Sequence, residues 1–373
     1  MIITCPHCHK KNRLPDTAPS RGQFVCGQCQ ETLTASSEHK TQHRGWFFFP
    51  LLAAIILYAA LVLTLLISNM VGPERWWLGS LNLYLPQWLW ALPGVILLPL
   101  TLGLARKWVW LPLAALLCVL GPIMGLSGNG LLSGAAPIHG AQHLRIMTYN
   151  VKWGSRDTAA ILQDIRTYDP DILQLQDSSG AMQGGLGPVL SGWNVRIHDQ
   201  YLVASRLPLP EFELRDISYP GSVHHCVRIV VPFGSSSVVL YNVHLLSPRV
   251  GLISIRHRQV DGLVSNADSR LLEANLLAGY IKNEHGPTLL TGDLNAPVQS
   301  LVCRPLFDAG LRDAFSAAGT GYGYTYGNYT RVGHPYVRID HILVSREWKV
   351  QHCWVGNSTG SDHCPVIADL LLP

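Results

Sequence analysis

The sequence has few charged residues, and over long stretches it has none. Asp, Glu, Lys and Arg make up 14% of the 373 residues, whereas hydrophobic residues make up 48%. Residues 46–67 contain no charge and are numerous enough to cross a bilayer. Two further apolar runs follow, at about 87–105 and 108–126. Three such runs in succession disfavour a buried soluble helical core, and they predict three transmembrane helices within residues 46–126.

The first apolar run lacks the features of a cleaved signal peptide, because a long polar segment precedes it and no small-residue cleavage site follows it. Lys and Arg are also unevenly placed. Six precede the first run, one lies between the first and second runs, two lie between the second and third, and none follows until Arg145. The positive-inside rule therefore predicts a cytoplasmic-membrane protein with a cytoplasmic N-terminus and an extracytoplasmic C-terminal domain.

The C-terminal part lacks a basic excess. Residues 143–373 hold nineteen Lys and Arg against twenty Asp and Glu, so the net charge of +4 comes from the N-terminal part. A domain that holds long nucleic acid by electrostatics is usually basic overall. The composition therefore argues against such a partner. A local basic patch that binds nucleic acid is not excluded.

Cysteine is concentrated at the N-terminus in two Cys-x-x-Cys motifs, and residues 1–35 are predicted to form a zinc ribbon. The four thiols that would hold one tetrahedral Zn²⁺ are Cys5, Cys8, Cys26 and Cys29. A redox motif is the alternative, but it needs a surrounding βαβ domain, for which there is no room before the first span. A cytoplasmic protein that docks on the ribbon is a candidate partner.

Two linkers are predicted, a polar one at 36–45 and a glycine-rich, uncharged one at 127–142 that suits a flexible tether. The domain at 143–373 then carries four more cysteines in a compartment predicted to be oxidising. One or two disulfides could form among them, with a connectivity that spacing does not reveal. They are Cys226, Cys303, Cys353 and Cys364.

Residues 143–373 alternate short apolar strands with a few helical stretches, which predicts an α/β domain with two packed sheets and helices outside. Polar residues stand at or beside the ends of several strands, where strand ends can converge on one rim. The stretch Thr291-Gly292-Asp293-Leu294-Asn295 is the centre of this pattern. The others are Thr148–Val151, Asp171–Asp177, Asn242–Leu245, Arg338–Leu343 and Ser361–Val366.

This ordered set of motifs resembles the endonuclease/exonuclease/phosphatase superfamily over roughly residues 143–373. The resemblance implies a four-layer α/β/β/α sandwich that cleaves phosphoesters with Mg²⁺ or Mn²⁺. It implies metal-site roles for Asn150, Asp177 and Asp362. The superfamily usually has Glu where Asp177 stands, and the shorter side chain requires a shifted ion or an intervening water. The catalytic residues implied by the resemblance are His244, Asp293, Asn295, Asp340 and His363.

The roles that the resemblance implies divide among these residues. Asp293 and Asn295 orient the attacking water and a phosphate oxygen, and His244 donates to the phosphate or leaving group. Asp340 and His363 form an acid–imidazole pair in which the carboxylate favours the imidazolium. The anchor and the external domain are most similar to a bacterial membrane subgroup of the superfamily.

Two further features stay open at the level of sequence. A glycine-interleaved segment with Tyr322, Tyr324, Tyr326 and Tyr329 could contact substrate or form an aromatic surface turn. For function, we expect a membrane-anchored phosphodiesterase or phosphatase, with a lipid-linked or small phosphoester as substrate. The alternatives are an extracytoplasmic endonuclease and a non-catalytic membrane protein whose ribbon docks a partner, the latter favoured only by Asp177.

Overall fold

The computed structural model describes residues 2–13, 21–36, 44–131, 140–154, 156–180, 185–357 and 359–373. The predicted linkers at 36–45 and 127–142 lie partly outside these ranges. At the described start of the second linker, the main chain of Ser127 pairs with Gly321 and the N–H of Gly130 donates to Gly319. This part of the chain therefore lies against the C-terminal domain.

Two antiparallel hairpins form the N-terminal unit. β1 (Ile2–Thr4) pairs with β2 (Lys11–Arg13), and β3 (Arg21–Val25) pairs with β4 (Thr32–Ser36). Each Cys-x-x-Cys motif occupies the turn of one hairpin. A segment this short has almost no apolar core, so the thiols at the two turns are its natural centre.

Four helices make up the apolar part: α1 (Arg44–Val71), α2 (Trp77–Asn82), α3 (Leu92–Leu104) and α4 (Trp110–Cys118). Helical segments long and apolar enough to cross a membrane lie close to the predicted positions. They are Phe47–Val71, Gln87–Leu104 and Arg106–Ile123. We call these three segments the anchor. The short helix α2 lies in the connection between the first and second of them.

From residue 140 onward, the described residues form twelve strands and six α-helices. The strands are β5 (Gln142–Asn150), β6 (Ile172–Gln176), β7 (Asn194–His198), β8 (Tyr201–Ser205), β9 (Glu211–Asp216), β10 (His225–Phe233), β11 (Ser236–His244), β12 (Thr288–Asp293), β13 (Arg312–Asp313), β14 (Asp340–Val344), β15 (Lys349–Val355) and β16 (Val366–Leu372). The helices are α5 (Thr158–Tyr168), α6 (Gly187–Val189), α7 (Arg249–Arg256), α8 (Val260–Lys282), α9 (Arg304–Asp308) and α10 (Ala314–Ala318).

The strands form two six-stranded sheets, in the orders β15-β16-β5-β6-β8-β7 and β13-β14-β12-β11-β10-β9. Side chains alternate between the two faces of each strand, as the period of two requires. On β11, Val238 and Leu240 enter the core between the sheets, whereas Val239 and Tyr241 pack under α8. On the first sheet, the outer face packs under α5 in the same way. The predicted four-layer α/β/β/α sandwich is confirmed.

The direction of the strands determines where the site forms. β5 runs parallel to β6, and β11 runs parallel to β12, so each of these pairs ends at a common edge. β14 and β16 run antiparallel to their neighbours and therefore begin at those same edges. The polar residues that the sequence places at strand ends and strand starts are thereby brought to one rim of the sandwich.

Candidate active site

Three candidate catalytic residues lie side by side on neighbouring strands. His244, the last residue of β11, is in register with Asp293, the last residue of β12. Asp293 is in turn in register with Asp340, the first residue of β14. Adjacent strands lie about 4.8 Å apart, so the sheet itself sets the spacing of these side chains.

His363 joins this row from the other sheet. Its Nδ1 lies 2.9 and 3.1 Å from the two carboxylate oxygens of Asp340. A carboxylate only accepts hydrogen bonds, so Nδ1 carries a proton and donates. Burial alone would lower the pKa of His363, but Asp340 and Asp293 raise it to about 9. The ring is therefore an imidazolium near neutral pH, and its Nε2 lies 3.7 Å from Oδ2 of Asp293.

Asp293 is the buried centre of the site. Its Oδ2 accepts from Nδ2 of Asn150 at 3.1 Å and lies 3.6 Å from Nε2 of His244. Its Oδ1 accepts from the backbone N–H of Asn295 at 2.8 Å. Burial and the charge of Asp340 raise the pKa of Asp293 to about 6. The carboxylate is thus mostly ionised at pH 7 and still basic enough to exchange a proton in that range.

The backbone around Asp293 takes a conformation that depends on glycine. Gly292 has φ of 137°, and a Cβ there would lie 1.8 Å from the carbonyl oxygen of Val243 on the adjacent strand. Asn295 has a left-handed φ of 50°, and its Nδ2 donates to the carbonyl of Leu245 at 2.8 Å. The close approach of the strands and the turn after them therefore fix where the Asn295 side chain lies.

The three predicted metal-site residues stand at or near strand ends of the first sheet. Oδ1 of Asn150 accepts from the backbone N–H of Lys152 at 3.1 Å. Asp177 follows β6 in a left-handed conformation, and its Oδ1 lies 3.7 Å from Nδ1 of His244. Oδ2 of Asp362 lies 3.6 Å from Nζ of Lys152. All three offer oxygen, the donor that Mg²⁺ and Mn²⁺ accept, so the donor set fits such an ion.

A tighter group of possible ligand atoms lies in the row on the strands. Within the described part of the chain, the Asp and His atoms that lie within 4.8 Å of one another belong to Asp293, Asp340 and His363. Asp177 and Asp362 line the same cleft without belonging to this group. The structure thus brings every predicted site residue to one rim, where Asn150 and Asp177 lie directly beside Asp293 and His244 of the row.

The cleft above these residues has a volume of about 900 Å³. That is at the upper end of the range for sites that bind small molecules. Besides the acids, it is lined by four basic side chains whose charges suit a phosphate. They are Lys152, Arg156, Arg249 and Arg256.

The four tyrosines divide between two roles. The ring of Tyr326 packs on His363 with centroids 4.9 Å apart, and Tyr329 lines the cleft with Arg156 over its ring at 3.7 Å. Tyr322 and Tyr324 instead stack on each other and pack against the anchor. Contact of Tyr326 and Tyr329 with a substrate stays a prediction, and Tyr322 and Tyr324 are packing residues rather than an aromatic surface turn.

Sequence reasoning missed several residues that support the site. Oε1 of Gln200 lies 2.6 Å from Nδ1 of His244, although Gln200 stands in a hairpin turn with no motif around it. Nε2 of Gln176 donates to Oδ1 of Asn242 at 2.6 Å, which links the two sheets beneath the rim. Gln176 and Asn242 did stand inside the motifs, and their polar side chains within apolar strands were a signal that could have been followed.

The four N-terminal thiols converge, with all Sγ atoms within 4.8 Å of one another. Cys5 and Cys29 are 3.6 Å apart at sulfur, as are Cys8 and Cys26. Four sulfurs at zinc-bond length around a tetrahedral ion would be about 3.8 Å apart. Backbone N–H groups of Cys29 and Gln28 lower the pKa of Cys26 to about 6. The arrangement fits a four-thiolate metal site.

The cysteines of the C-terminal domain behave differently. Cys226, Cys303 and Cys353 are buried and are free thiols. The disulfides considered among the four domain cysteines are therefore not formed. The three thiols instead pack as small apolar groups in the core.

Comparisons with known proteins agree with this geometry. The model of the Endonuclease/Exonuclease/phosphatase family matches residues 147–363, which is more than half of the chain. A solved family protein from Bacteroides thetaiotaomicron shares 18% identity, with 63% of this chain and 100% of that chain covered and a TM-score of 0.50. D. rerio TDP2, solved with a single strand DNA product, shares 16% identity over 61% of this chain and 99% of its own, with a TM-score of 0.50.

No curated protein matches the sequence. At these identities the solved structures establish the fold, and the family assignment rests on the matched model. The row of Asp and His residues and the four basic side chains of the cleft fall within the matched residues, as does most of the sandwich. The chain belongs to the endonuclease/exonuclease/phosphatase family, whose members are hydrolases of phosphoester bonds.

Proposed function

We propose that this protein is a membrane-anchored phosphoesterase that depends on Mg²⁺ or Mn²⁺ and acts on the non-cytoplasmic side of the cytoplasmic membrane. The observation that carries the proposal is the row of His244, Asp293 and Asp340, completed by His363, beneath a cleft lined by Arg and Lys. An imidazolium and a buried carboxylate side by side can place charge and move protons around a phosphate.

The residues divide the chemistry as follows. Asp293 accepts a proton from the attacking water, and Asn295 orients that water and a phosphate oxygen. His244 donates to the phosphate or the leaving group. His363, held as an imidazolium by Asp340, stabilises the negative charge that develops on the phosphate oxygens. A cation held by Asn150, Asp177 and Asp362 would supply Lewis-acid polarisation of the phosphoryl oxygen.

The metal side of the proposal is tested at Asp177. Asp177→Ala should abolish Mg²⁺-dependent turnover, and it should also weaken Mn²⁺ binding measured by calorimetry on the full chain in detergent. Asp177→Glu should keep or raise that affinity, because it restores the side chain common in the family. Asp157→Ala, at an exposed helix cap outside the cleft, is the matched control. Full Mg²⁺-dependent activity in Asp177→Ala would show that Asp177 is not a ligand.

The substrate we propose is a phosphoester at the membrane surface, such as a lipid-linked phosphate. Tyr84 lines the cleft and stands three residues before the second candidate span, which supports a position of the cleft near the bilayer. Helix α7 at the cleft exposes Val250 and Ile253, at 72% and 40%, beside two Arg residues. An exposed apolar and basic face suits an anionic lipid surface.

A substrate panel separates this proposal from its alternatives. The full chain in lipid nanodiscs, with Mg²⁺, is assayed on a phospholipid, a polyprenyl phosphate, a sugar phosphate and single-stranded DNA. Release of phosphate or headgroup from a lipid supports the proposal, whereas cleavage of DNA alone supports the extracytoplasmic endonuclease. No turnover of any phosphoester with Mg²⁺ or Mn²⁺ would favour a non-catalytic role.

The N-terminal unit is proposed to hold one Zn²⁺ and to dock a cytoplasmic protein. The spacing of the four sulfurs supports the first part. Elemental analysis of the reduced full chain should give one zinc per chain. Cys26→Ser should lower that value, and Cys118→Ser, outside the cluster, should not. A wild-type chain without stoichiometric zinc would falsify this assignment.

The proposed topology has a specific structural consequence. If all three candidate spans cross the membrane, the connection between the first two lies on the same side as the C-terminal domain. That connection does contact the domain, since Leu301 donates its N–H to the Glu74 carboxylate at 3.0 Å. A phosphatase reporter fused after Pro373 should be active, and a green fluorescent protein fused there should be dark. The reverse pattern would overturn the topology.

A further inference from the structure

The loop that follows β12 is held from outside the catalytic domain. It runs over residues 295–301 and begins with Asn295, whose side chain belongs to the site. The carbonyl oxygen of Asn295 accepts from the Tyr84 hydroxyl at 2.8 Å and from Nη1 of Arg270 at 3.0 Å. Tyr84 belongs to the connection between the first two spans. A group from the anchor region therefore reaches the backbone of a catalytic residue.

The chemistry of this contact suits a permanent hydrogen bond. Burial raises the pKa of Tyr84 to about 12, so the hydroxyl keeps its proton and donates at any physiological pH. Nη1 of Arg270 also donates to the Tyr84 oxygen. Arg270 is fully buried, and its partners among the described residues are the neutral oxygens of Tyr84, Asn295 and Asn266. A buried cation with neutral partners is unfavourable for stability, which points to a role in positioning.

The far end of the same loop is held by the same connection. The Glu74 carboxylate is 8% exposed and accepts from the hydroxyl of Ser300 and from the N–H of Leu301. Beyond it, Arg304 donates to the carbonyl of Val71, the last residue of α1, at 3.1 Å. The loop is thus held at its beginning and at its end by the connection between the first two spans.

We propose that the connection between the first two spans completes the active site, and that Tyr84 is a positioning residue for Asn295. This inference rests on the proposed function. The hydroxyl of Tyr84 acts through the backbone, which fixes the left-handed turn of Asn295 and hence the place of its amide. Small displacements of a group that orients reactants lower the rate strongly. The membrane-proximal connection is then a part of the catalytic structure as well as a link between two spans.

The test uses the full chain in nanodiscs and a soluble chromogenic phosphodiester with saturating Mg²⁺. Tyr84→Phe keeps the ring and removes the hydroxyl, so kcat should fall by about 3- to 10-fold with KM unchanged. In an Asn295→Ala background, the same substitution should lower kcat no further, because the group that it positions is gone. Hydrogen exchange of the peptide over 294–302 should become faster in Tyr84→Phe.

The matched control is Tyr324→Phe. The Tyr324 hydroxyl donates to the carbonyl of Met124 at 3.2 Å, so it also joins the domain to the anchor but away from Asn295. Both kcat and exchange over 294–302 should stay as in the wild type. Unchanged hydrogen exchange over 294–302 in Tyr84→Phe would show that the Tyr84 hydroxyl does not hold this loop. Faster exchange with unchanged kcat overturns the positioning role. An inactive wild type refutes the proposed function instead. Hydrogen exchange then still decides whether Tyr84 holds the loop after β12.

Discussion

Asp340 and His341 are neighbours on β14, yet they belong to two different Asp–His pairs. Adjacent residues on a strand point to opposite faces of the sheet. Asp340 faces the rim and binds Nδ1 of His363 at 2.9 Å. His341 faces the other way, where its Nδ1 lies 3.5 Å from Oδ1 of Asp313. The same two residue types thus form two pairs in different surroundings, and each pair takes one of two adjacent residues of β14.

The two pairs differ in what else each histidine contacts. His341 has both nitrogens engaged, since Nε2 donates to the carbonyl of Ala296 at 2.9 Å and Nδ1 faces Asp313 and Arg338. The second nitrogen of His363 instead faces Asp293 at the cleft. His341 is fully buried away from the cleft and holds structure, whereas His363 lines the cleft and can act on a substrate.

The electrostatic consequences are also opposite. Burial alone would raise the pKa of Asp313, but Arg338 and His341 hold it well below its usual range. At the rim, the acids raise the pKa of His363 to about 9. The Asp313–His341 pair therefore stabilises a carboxylate, and the Asp340–His363 pair at the rim stabilises an imidazolium. This contrast can be tested at three levels.

The largest effect is expected on turnover at the rim. His363→Ala and Asp340→Asn should each lower kcat by roughly 10²–10⁴, the usual contribution of an acid–base step. The double variant should lose little more than His363→Ala, because coupled residues are not additive. The measurement is a double-mutant cycle at saturating metal. Strictly additive losses of kcat would show that Asp340 and His363 act independently and do not form a functional pair.

A smaller effect, on stability, is expected at the structural pair. Arg338 donates to Oδ1 of Asp313 at 2.8 Å, and both are buried. Arg338→Leu leaves Asp313 without its cation and should lower the free energy of unfolding by about 3–5 kcal/mol. The kcat of the folded fraction should stay within about threefold of the wild type. Denaturant titration of the full chain in detergent measures the first quantity.

The control for that experiment is Arg346→Leu. Arg346 pairs with Glu347 at 3.1 Å on the surface, with 93% of the arginine side chain exposed. Exposed pairs contribute about 0–1 kcal/mol, so this variant should unfold almost like the wild type. Equal losses of unfolding free energy in Arg338→Leu and Arg346→Leu would mean that the buried pair stabilises the fold no more than a surface pair does.

The smallest effect is the dependence of stability on pH. Asp313 has a lowered pKa in the fold, so its contribution is present above about pH 4 and is lost as pH falls below it. His363 has a raised pKa, so its contribution is present below about pH 6.5 and is lost as pH rises through about 9. Melting temperatures in EDTA should become less acid-sensitive in Asp313→Asn and less alkali-sensitive in His363→Gln. If the melting temperature of both variants depended on pH as it does in the wild type, the stabilising roles of ionised Asp313 and protonated His363 would be contradicted.

Much of the fold could be predicted from the sequence because its signals are local. Charge-free runs specify the three apolar helices, and the pattern of apolar strands with polar ends specifies two sheets and the residues at their rim. Gln200 and Tyr84 could not be predicted in the same way. Each contacts the site from a distant part of the chain, and nothing in its own neighbourhood marks it.

The sequence by itself determined which residue types are available: the row of Asp and His at strand ends, the paired thiols at the N-terminus and the three apolar spans. The tertiary structure decided which of them meet. The alternation of side chains on β14 selected Asp340 over His341 for the rim, because adjacent residues of a strand face opposite sides of the sheet. Packing of the connection between the spans against the loop after β12 placed Tyr84 on the carbonyl of Asn295. Contacts between distant segments depend on the whole fold, since no local pattern encodes them.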